Sequence, residues 1–362
     1  MSTNDSHSQR LARVRLLAIV KSQLEIDRTA SAASAGRSSA GGASAGGASD
    51  FDSVVFEPSE FGAAVGGVLN GVAWVLITGR HERGLGPALM WALRNNATAL
   101  KLFTEQNAGD LARGSKNFNF TIEVFAVDSS TAVSVATPSL AKAVEVSVAD
   151  EMFAAFIKSS GAEVIREHGV MSGEVVGLEV CRVVPGESGD SRIEIGVGVH
   201  DRETFQLVHG QTATIESLRR VVTEVAARRV VGAQVHPLNQ LARERILRHV
   251  VCQSPNLVGA QSLSAAQPPS RRRNLKEIVP CVASGISQTG QKVVVIFSVG
   301  IDPDVVAFGA DAREQINSNA ELVFACPTRD IVPAVTRLAE MLNKPARFVG
   351  VDILGAQAQP QV

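Results

Sequence analysis

VAWVLIT (Val72–Thr78), ALKLFTE (Ala99–Glu105) and TIEVFAV (Thr121–Val127) are three short apolar runs, separated by helical patterns at Leu85–Arg94 and Gln106–Lys116. Strand, helix and strand in that succession make parallel strands with crossover helices. Near the C-terminus VVVIFSV (Val293–Val299), ELVFACP (Glu321–Pro327) and ARFVGVD (Ala346–Asp352) repeat the order at nearly the same spacing. The chain therefore reads as α/β, with β-α-β-α-β parallel-sheet units at both ends flanking a mixed α+β middle segment. Residue identity between the units is slight, and generic loop and helix lengths give similar spacing, so duplication stays open, as does one sheet against two. Parallel sheets place ligands at the carboxyl ends of their strands, which locates candidate sites before any function is known.

Outward from the first unit, Ala63–Leu69 and Val72–Thr78 flank Asn70-Gly71, a pair suited to a type I′ hairpin turn, so one antiparallel strand is expected at the sheet's edge. Residues Arg10–Ile26 form a helical pattern with Leu11, Val14, Leu17, Val20 and Leu24 apolar, followed by a Ser/Ala/Gly-rich stretch. Such a tethered helix either docks onto a protein partner, nucleic acid or membrane surface, or packs on its own protein. In the middle, Asp150–Ser160 reads as a helix, Glu163–Glu167 as a short strand, and Glu174–Val184 and Arg192–Val199 as long strands. Thr214–Arg228 and Leu238–Cys252 read as helices, with a short strand at Gly232–His236 between them. The expected organisation is an amphipathic helix over 1–28, a flexible linker over 29–50 and a first α/β unit over 51–140. A mixed α+β segment over 141–261, a linker over 262–274, a C-terminal α/β unit over 275–354 and a disordered tail over 355–362 complete it.

With 362 residues, 45% of them hydrophobic, the chain can bury a large core in two or three domains. Fourteen Phe, two Trp and no Tyr argue against nucleic-acid bases stacking on aromatic platforms. A net charge of −1 means that a polyanion partner needs a local basic patch. Cys181, Cys252, Cys281 and Cys326 lie far apart with no CxxC pair, which argues against structural zinc and against a disulfide framework. No apolar run approaches the roughly 20 residues that span a bilayer, and the start lacks the features of a secretion signal. A cytoplasmic protein with reduced thiols is expected.

Three places carry candidate chemistry. The loop Gly79-Arg80-His81-Glu82-Arg83-Gly84-Leu85-Gly86 opens directly into a helix. There Gly84 and Gly86 let the backbone approach a phosphate, and Arg80 and Arg83 add charge-assisted bonds; a plain tight turn explains the glycines equally well. At the corresponding point of the last unit, Asp302 and Asp304 suit a hard cation or a helix cap, and the same alternatives apply to Glu105 and the Thr328-Arg329-Asp330 loop. The middle segment read as α-β-β-β-α-β has the core order of restriction-endonuclease-like nucleases. Under that alternative Glu179, Glu194 and Asp201 hold Mg²⁺ or Mn²⁺, with Glu174 nearby and His200 moving a proton. Glu194-Ile195-Gly196 has glycine where that family's E-x-K has lysine, and a β-meander with a polar face is the plainer reading. His200, His209 and His236 lack metal-site spacing, and outside the Ser/Ala/Gly-rich stretch no Ser sits in a GxSxG elbow. Arginines cluster at 271–273, at 243, 245 and 248, and at 219, 220, 228 and 229, as phosphate contacts or as solvated surface.

The stretches GLGPALMWALR, GVGVHDRETFQLVHG, HPLNQLARERILR, NLKEIVP and VGIDPDVVAFGADAR carry a resemblance to a group of conserved, uncharacterised bacterial proteins of actinobacterial type. The resemblance implies a bacterial cytoplasmic protein and nothing about reaction type. From the residues, the first expectation is a binding or regulatory protein that recognises a phosphate-bearing partner, with nucleic acid among the candidates. The alternatives are a metal-dependent nuclease or phosphodiesterase, and a structural or assembly protein using its N-terminal helix.

Overall fold

The computed structural model of the chain describes residues 3–35, 56–78, 83–129, 131–186, 189–209, 214–229, 236–274 and 277–352. Arg80, most of the Ser/Ala/Gly stretch, all but His236 of the strand expected at Gly232–His236 and the tail at 355–362 lie outside the described residues. The chain divides into two units, residues 1–139 with 341–343, and residues 140–340 with 344–362.

The first unit carries a long helix, α1 (Thr3–Ala35), and a six-stranded sheet. The strands lie side by side in chain order as β1 (Ser59–Phe61), β2 (Ala64–Leu69), β3 (Val72–Ile77), β4 (Ala99–Thr104), β5 (Thr121–Asp128) and β6 (Thr131–Ser134). β3, β4 and β5 are parallel, joined by α2 (Leu85–Arg94) and α3 (Ala108–Ser115), as the spacing predicts. Asn70 and Gly71 turn β2 into antiparallel β3 with φ of 53° and 77°, the conformation a type I′ turn demands. The short outer strands β1 and β6 escape a pattern reading because neither is long enough to show alternation.

α1 covers one face of this sheet. Ala12, Leu16, Ile19 and Val20 bury against Val65, Trp74, Leu76, Phe103 and Phe125, and full burial of each large aliphatic chain is worth ~1.5–3 kcal/mol. The buried stripe is displaced from the expected one: Leu11 and Val14 are exposed, whereas Gln23 is buried and donates to Ala132 O at 3.4 Å. The helix also runs on through Thr29–Ala35, the first residues of the expected linker. Its inward face therefore packs on its own sheet.

The second unit holds two sheets. After α4 (Val148–Glu151) and α5 (Phe153–Ser159) come β7 (Glu163–Glu167), β8 (Val170–Val175), β9 (Leu178–Pro185) and β10 (Ser191–Ile195), an antiparallel meander. α6 (Gly198–His209) and α7 (Ile215–Arg228) follow, and Leu218, Val222 and Val225 of α7 join the meander's core. The expected long strand at 174–184 is in fact β8 and β9, folded at Val176-Gly177 with φ of 47° and 73°. Glu174 and Glu179 thus face each other across a strand pair rather than sharing one strand. The strand expected over 192–199 stops at Ile195, because Gly196 and Gly198 adopt positive φ and α6 begins.

α8 (Arg243–Gln253) then leads into a five-stranded sheet. Its order is β11 (Ala260–Ala266), β12 (Cys281–Ser287), β13 (Lys292–Phe297), β14 (Glu321–Cys326) and β15 (Arg347–Gly350). β13–β15 are parallel, with α9 (Val305–Asn317) and α10 (Pro333–Glu340) as crossovers. Leu247 and Val251 of α8 pack on one face, against Val293, Val295 and Phe297, and Gly309 of α9 lies against Phe324 and Ile296 on the other. The stretch at 262–274 is thus not simply a linker: its Ser/Ala-rich start pairs with β12 over Ser262–Ala266. Among the described residues, no helix is long and apolar enough to cross a membrane.

Candidate functional site

Two of the three acids expected to bind metal under the nuclease alternative, Glu179 and Glu194, are engaged by arginines. Glu179 accepts two bonds from Arg182, at 3.0 and 2.7 Å, and a third from Arg202 Nη1 at 3.0 Å. Glu194 accepts from Arg192 at 2.9 Å and Gln206 at 2.8 Å, and Arg202 Nε stands 3.5 Å from its other oxygen. The two glutamates do come together, but around the guanidinium of Arg202. Such pairing removes the open anionic field that a divalent cation requires. Asp201 is exposed on α6, and the His200 side chain is 98% exposed with Glu203 3.5 Å away. His236 Nδ1 accepts from the Leu238 N–H at 3.3 Å, and the side chain of His209 lies outside the described residues. Among the described residues no group of three or more His, Cys, Asp or Glu is placed to hold a metal ion.

At the first unit's loop, Arg83 is exposed and Gly84 is the N-cap of α2. A Cβ on Gly84 would meet Ile77 Cδ1 at 2.6 Å, so close packing of the turn on β3 already requires this glycine, and Gly86 is buried in the helix's first turn. The thiols are poor nucleophiles: burial pushes Cys181, Cys281 and Cys326 up to about 12 and Cys252 to about 11.

A different place gathers unsatisfied chemistry, and it is built around the start of α8. Buried Arg229 donates to Val176 O, Leu238 O and Leu241 O at 2.5–3.1 Å, fixing the turn that precedes the helix. Burial lowers Arg229 to about 10, so it stays protonated at neutral pH. Ala242 then enters the helix at φ 48°, a left-handed conformation unusual for alanine, with no side-chain cap. One turn on, Arg245 and Arg248 each bond both Glu167 and Glu174. Desolvation pushes the Glu167 carboxyl up, but the two guanidinium charges and their hydrogen bonds outweigh it and hold it near about 2. Gly177 lets the β8–β9 turn approach, since a Cβ there would lie 2.4 Å from the Arg245 backbone. α8 is clamped to the meander by charge and to the C-terminal sheet by Leu247 and Val251.

This clamp presents Arg243 and Glu244 to a cavity of about 380 Å³ at the carboxyl ends of the parallel strands. Val299 and Gly300 after β13, and Arg329 and Asp330 after β14, form one side, while Arg272, Glu277 and Ile278 form another. The loops are held by their own bonds. Asp330 accepts the Gly300 N–H at 2.7 Å, Asp352 accepts from Thr328 N and Oγ1 at 2.9 and 2.7 Å, and Asp302 accepts the Asp304 N–H at 3.1 Å. Asp302 therefore shapes the approach to α9 from two residues ahead of the N-cap, which is Asp304 and not Asp302 as its cap reading expects. Glu277 accepts the Arg273 N–H at 2.7 Å.

Glu244 is the exception to this local satisfaction. Its side chain is 3% exposed, and Oε1 has no hydrogen-bond partner, with Arg272 Nη1 3.7 Å away. Desolvation raises its carboxyl, only partly opposed by the charges of Arg272, Arg245 and Arg248.

No protein-family model, curated protein or solved structure matches the chain. The site therefore rests on its own geometry.

In the sequence Arg243 and the Arg271–Arg273 cluster stand among scattered basic groups, Arg329 belongs to a strand-end loop, and no motif singles out Glu244. A signal for Glu244 exists. Leu247 and Val251 define the inward face of α8, and three residues before Leu247 places Glu244 on that same face. A carboxylate on a buried stripe needs a reason.

Proposed function

We propose that the protein binds a small phosphate-bearing ligand in the cavity between the start of α8 and the carboxyl ends of β13 and β14. One observation carries this reading: Arg243, Arg272 and Arg329 line one concave site at the strand ends where open α/β sheets accommodate ligands. Guanidinium groups match phosphate oxygens in charge and geometry. The carboxylates of Asp330 and Glu277 are engaged by backbone N–H groups, which tempers their opposition to an anion. A cavity of about 380 Å³ suits a small metabolite rather than a polymer, and the low aromatic content agrees. On this proposal ligand recognition belongs to the C-terminal sheet rather than to the Gly84 loop of the first unit.

Isothermal titration calorimetry with inorganic phosphate and ribose 5-phosphate tests the reading. Saturable binding that weakens at least tenfold in the Arg243→Ala, Arg329→Ala double variant, and weakens with added salt, is the expected result. Absence of binding by both compounds, or binding unchanged in the double variant, overturns it.

A further inference from the structure

Resting on that reading, we infer that Glu244 selects, among phosphate-bearing ligands, those with a hydroxyl group close to the phosphate, so that the cavity takes the sugar-phosphate class. Glu244 lines the same cavity as the three arginines, and its side chain is almost wholly removed from water. A buried oxygen without a hydrogen bond costs roughly 1–3 kcal/mol, a cost that the neighbouring buried carboxylates avoid. Glu167 of β7 and Glu174 of β8 accept from both Arg245 and Arg248. Oε1 of Glu244, ion-paired with Arg272 at 3.7 Å but without a hydrogen bond, is open to a donor that enters from outside.

The chemistry of that partner is constrained from two directions. A ligand ammonium would pair with an ionised Glu244, but Arg272, Arg245 and Arg248 all act electrostatically on this carboxyl and repel a fourth cation. A second anionic group would meet the carboxylate itself. A hydroxyl suits the site in either protonation state: it donates to an ionised carboxylate and accepts from a protonated one. Burial disfavours the ionised form here, which makes that versatility useful. Ile278, 68% exposed and part of the cavity lining, adds an apolar surface for the C–H face of a small polyol.

Calorimetry at pH 7 with ribose 5-phosphate, n-butyl phosphate and inorganic phosphate separates this inference from the reading beneath it. In the unaltered protein ribose 5-phosphate should bind about tenfold tighter than n-butyl phosphate, the gain of one well-placed hydrogen bond. Glu244→Leu should remove that preference by weakening ribose 5-phosphate alone, and Glu244→Gln, whose amide still pairs with a hydroxyl, should keep most of it. Equal affinity for the two esters overturns the selectivity inference and leaves phosphate binding standing. A preference that survives Glu244→Leu overturns the role of Glu244. No binding by any of the three compounds overturns the binding reading itself. The comparison of esters in the unaltered protein decides the question even if a variant fails to fold.

Discussion

Two sets of charges sit side by side on α8, and they are treated in opposite ways. Arg245 and Arg248 meet Glu167 and Glu174 in a quartet in which each guanidinium reaches both carboxylates. Glu244, adjacent to Arg245 in sequence, keeps an oxygen without a hydrogen bond beside a cavity lined by three arginines. The same helix carries both, so neither composition nor local conformation explains the difference. A closed network fixes an element in place; an open one in a concave site is, on the proposed function, what a ligand completes. The Glu179–Arg202–Glu194 group on β9, β10 and α6 belongs with the closed kind, for all its likeness in sequence to a metal centre.

Breaking the quartet should have the largest effect. Arg248→Ala leaves Glu167 and Glu174 short of a partner in a buried setting and should lower stability by about 3–5 kcal/mol, read as a fall in the urea midpoint. Glu167→Gln tests the same network by pH. A depressed carboxyl contributes stability that is present above its unfolded value and lost as pH falls through the folded one. The deficit of this variant at pH 7 should therefore shrink as pH falls from 4.5 to about 2. A deficit constant across that range would mean that the quartet is not held by charge.

Arg202→Gln sharpens the contrast with the supposed metal acids. Removing the shared guanidinium should cost about 1–2 kcal/mol, measured by thermal unfolding, and Mn²⁺ should not restore it. The smallest effect, and of opposite sign, belongs to Glu244→Gln. Its carboxyl is raised in the fold, so the wild-type protein loses relative stability as pH rises through that folded value. The variant should be equal to or slightly more stable than wild type, within about 1 kcal/mol, with the gain larger at pH 8 than at pH 5. A variant markedly less stable at every pH would place Glu244 among the structural charges.

The parallel cores were legible because VAWVLIT and VVVIFSV are uninterrupted apolar runs that only a doubly covered strand tolerates. The turn at Val176-Gly177 was not, because apolar residues continue through it and only the approach of Arg245 gives Gly177 its reason. β11 stayed hidden because QSLSAA has too little apolar character to stand out as a strand. Asp302 and the Thr328-Arg329-Asp330 loop were flagged from strand ends alone, and the Asp330 bond to Gly300 ties those two loops together. The cavity itself joins residues from 240 to 330, a convergence that depends on tertiary packing and leaves no local motif. Glu244 needed only the helical period to be noticed, but its missing hydrogen bond exists only in three dimensions.

The contrast between the two charge sets is read most directly by carboxyl ¹³C NMR of Glu244 and Glu167 in one sample, across pH and then with ribose 5-phosphate added. Glu244 should titrate above the ordinary 4.5 and shift when the ligand binds, whereas Glu167 should titrate well below it and stay where it was. If both carboxyls titrate in the ordinary range, or if the ligand moves Glu167 and leaves Glu244 untouched, the division of α8 into a closed anchor and an open site is wrong.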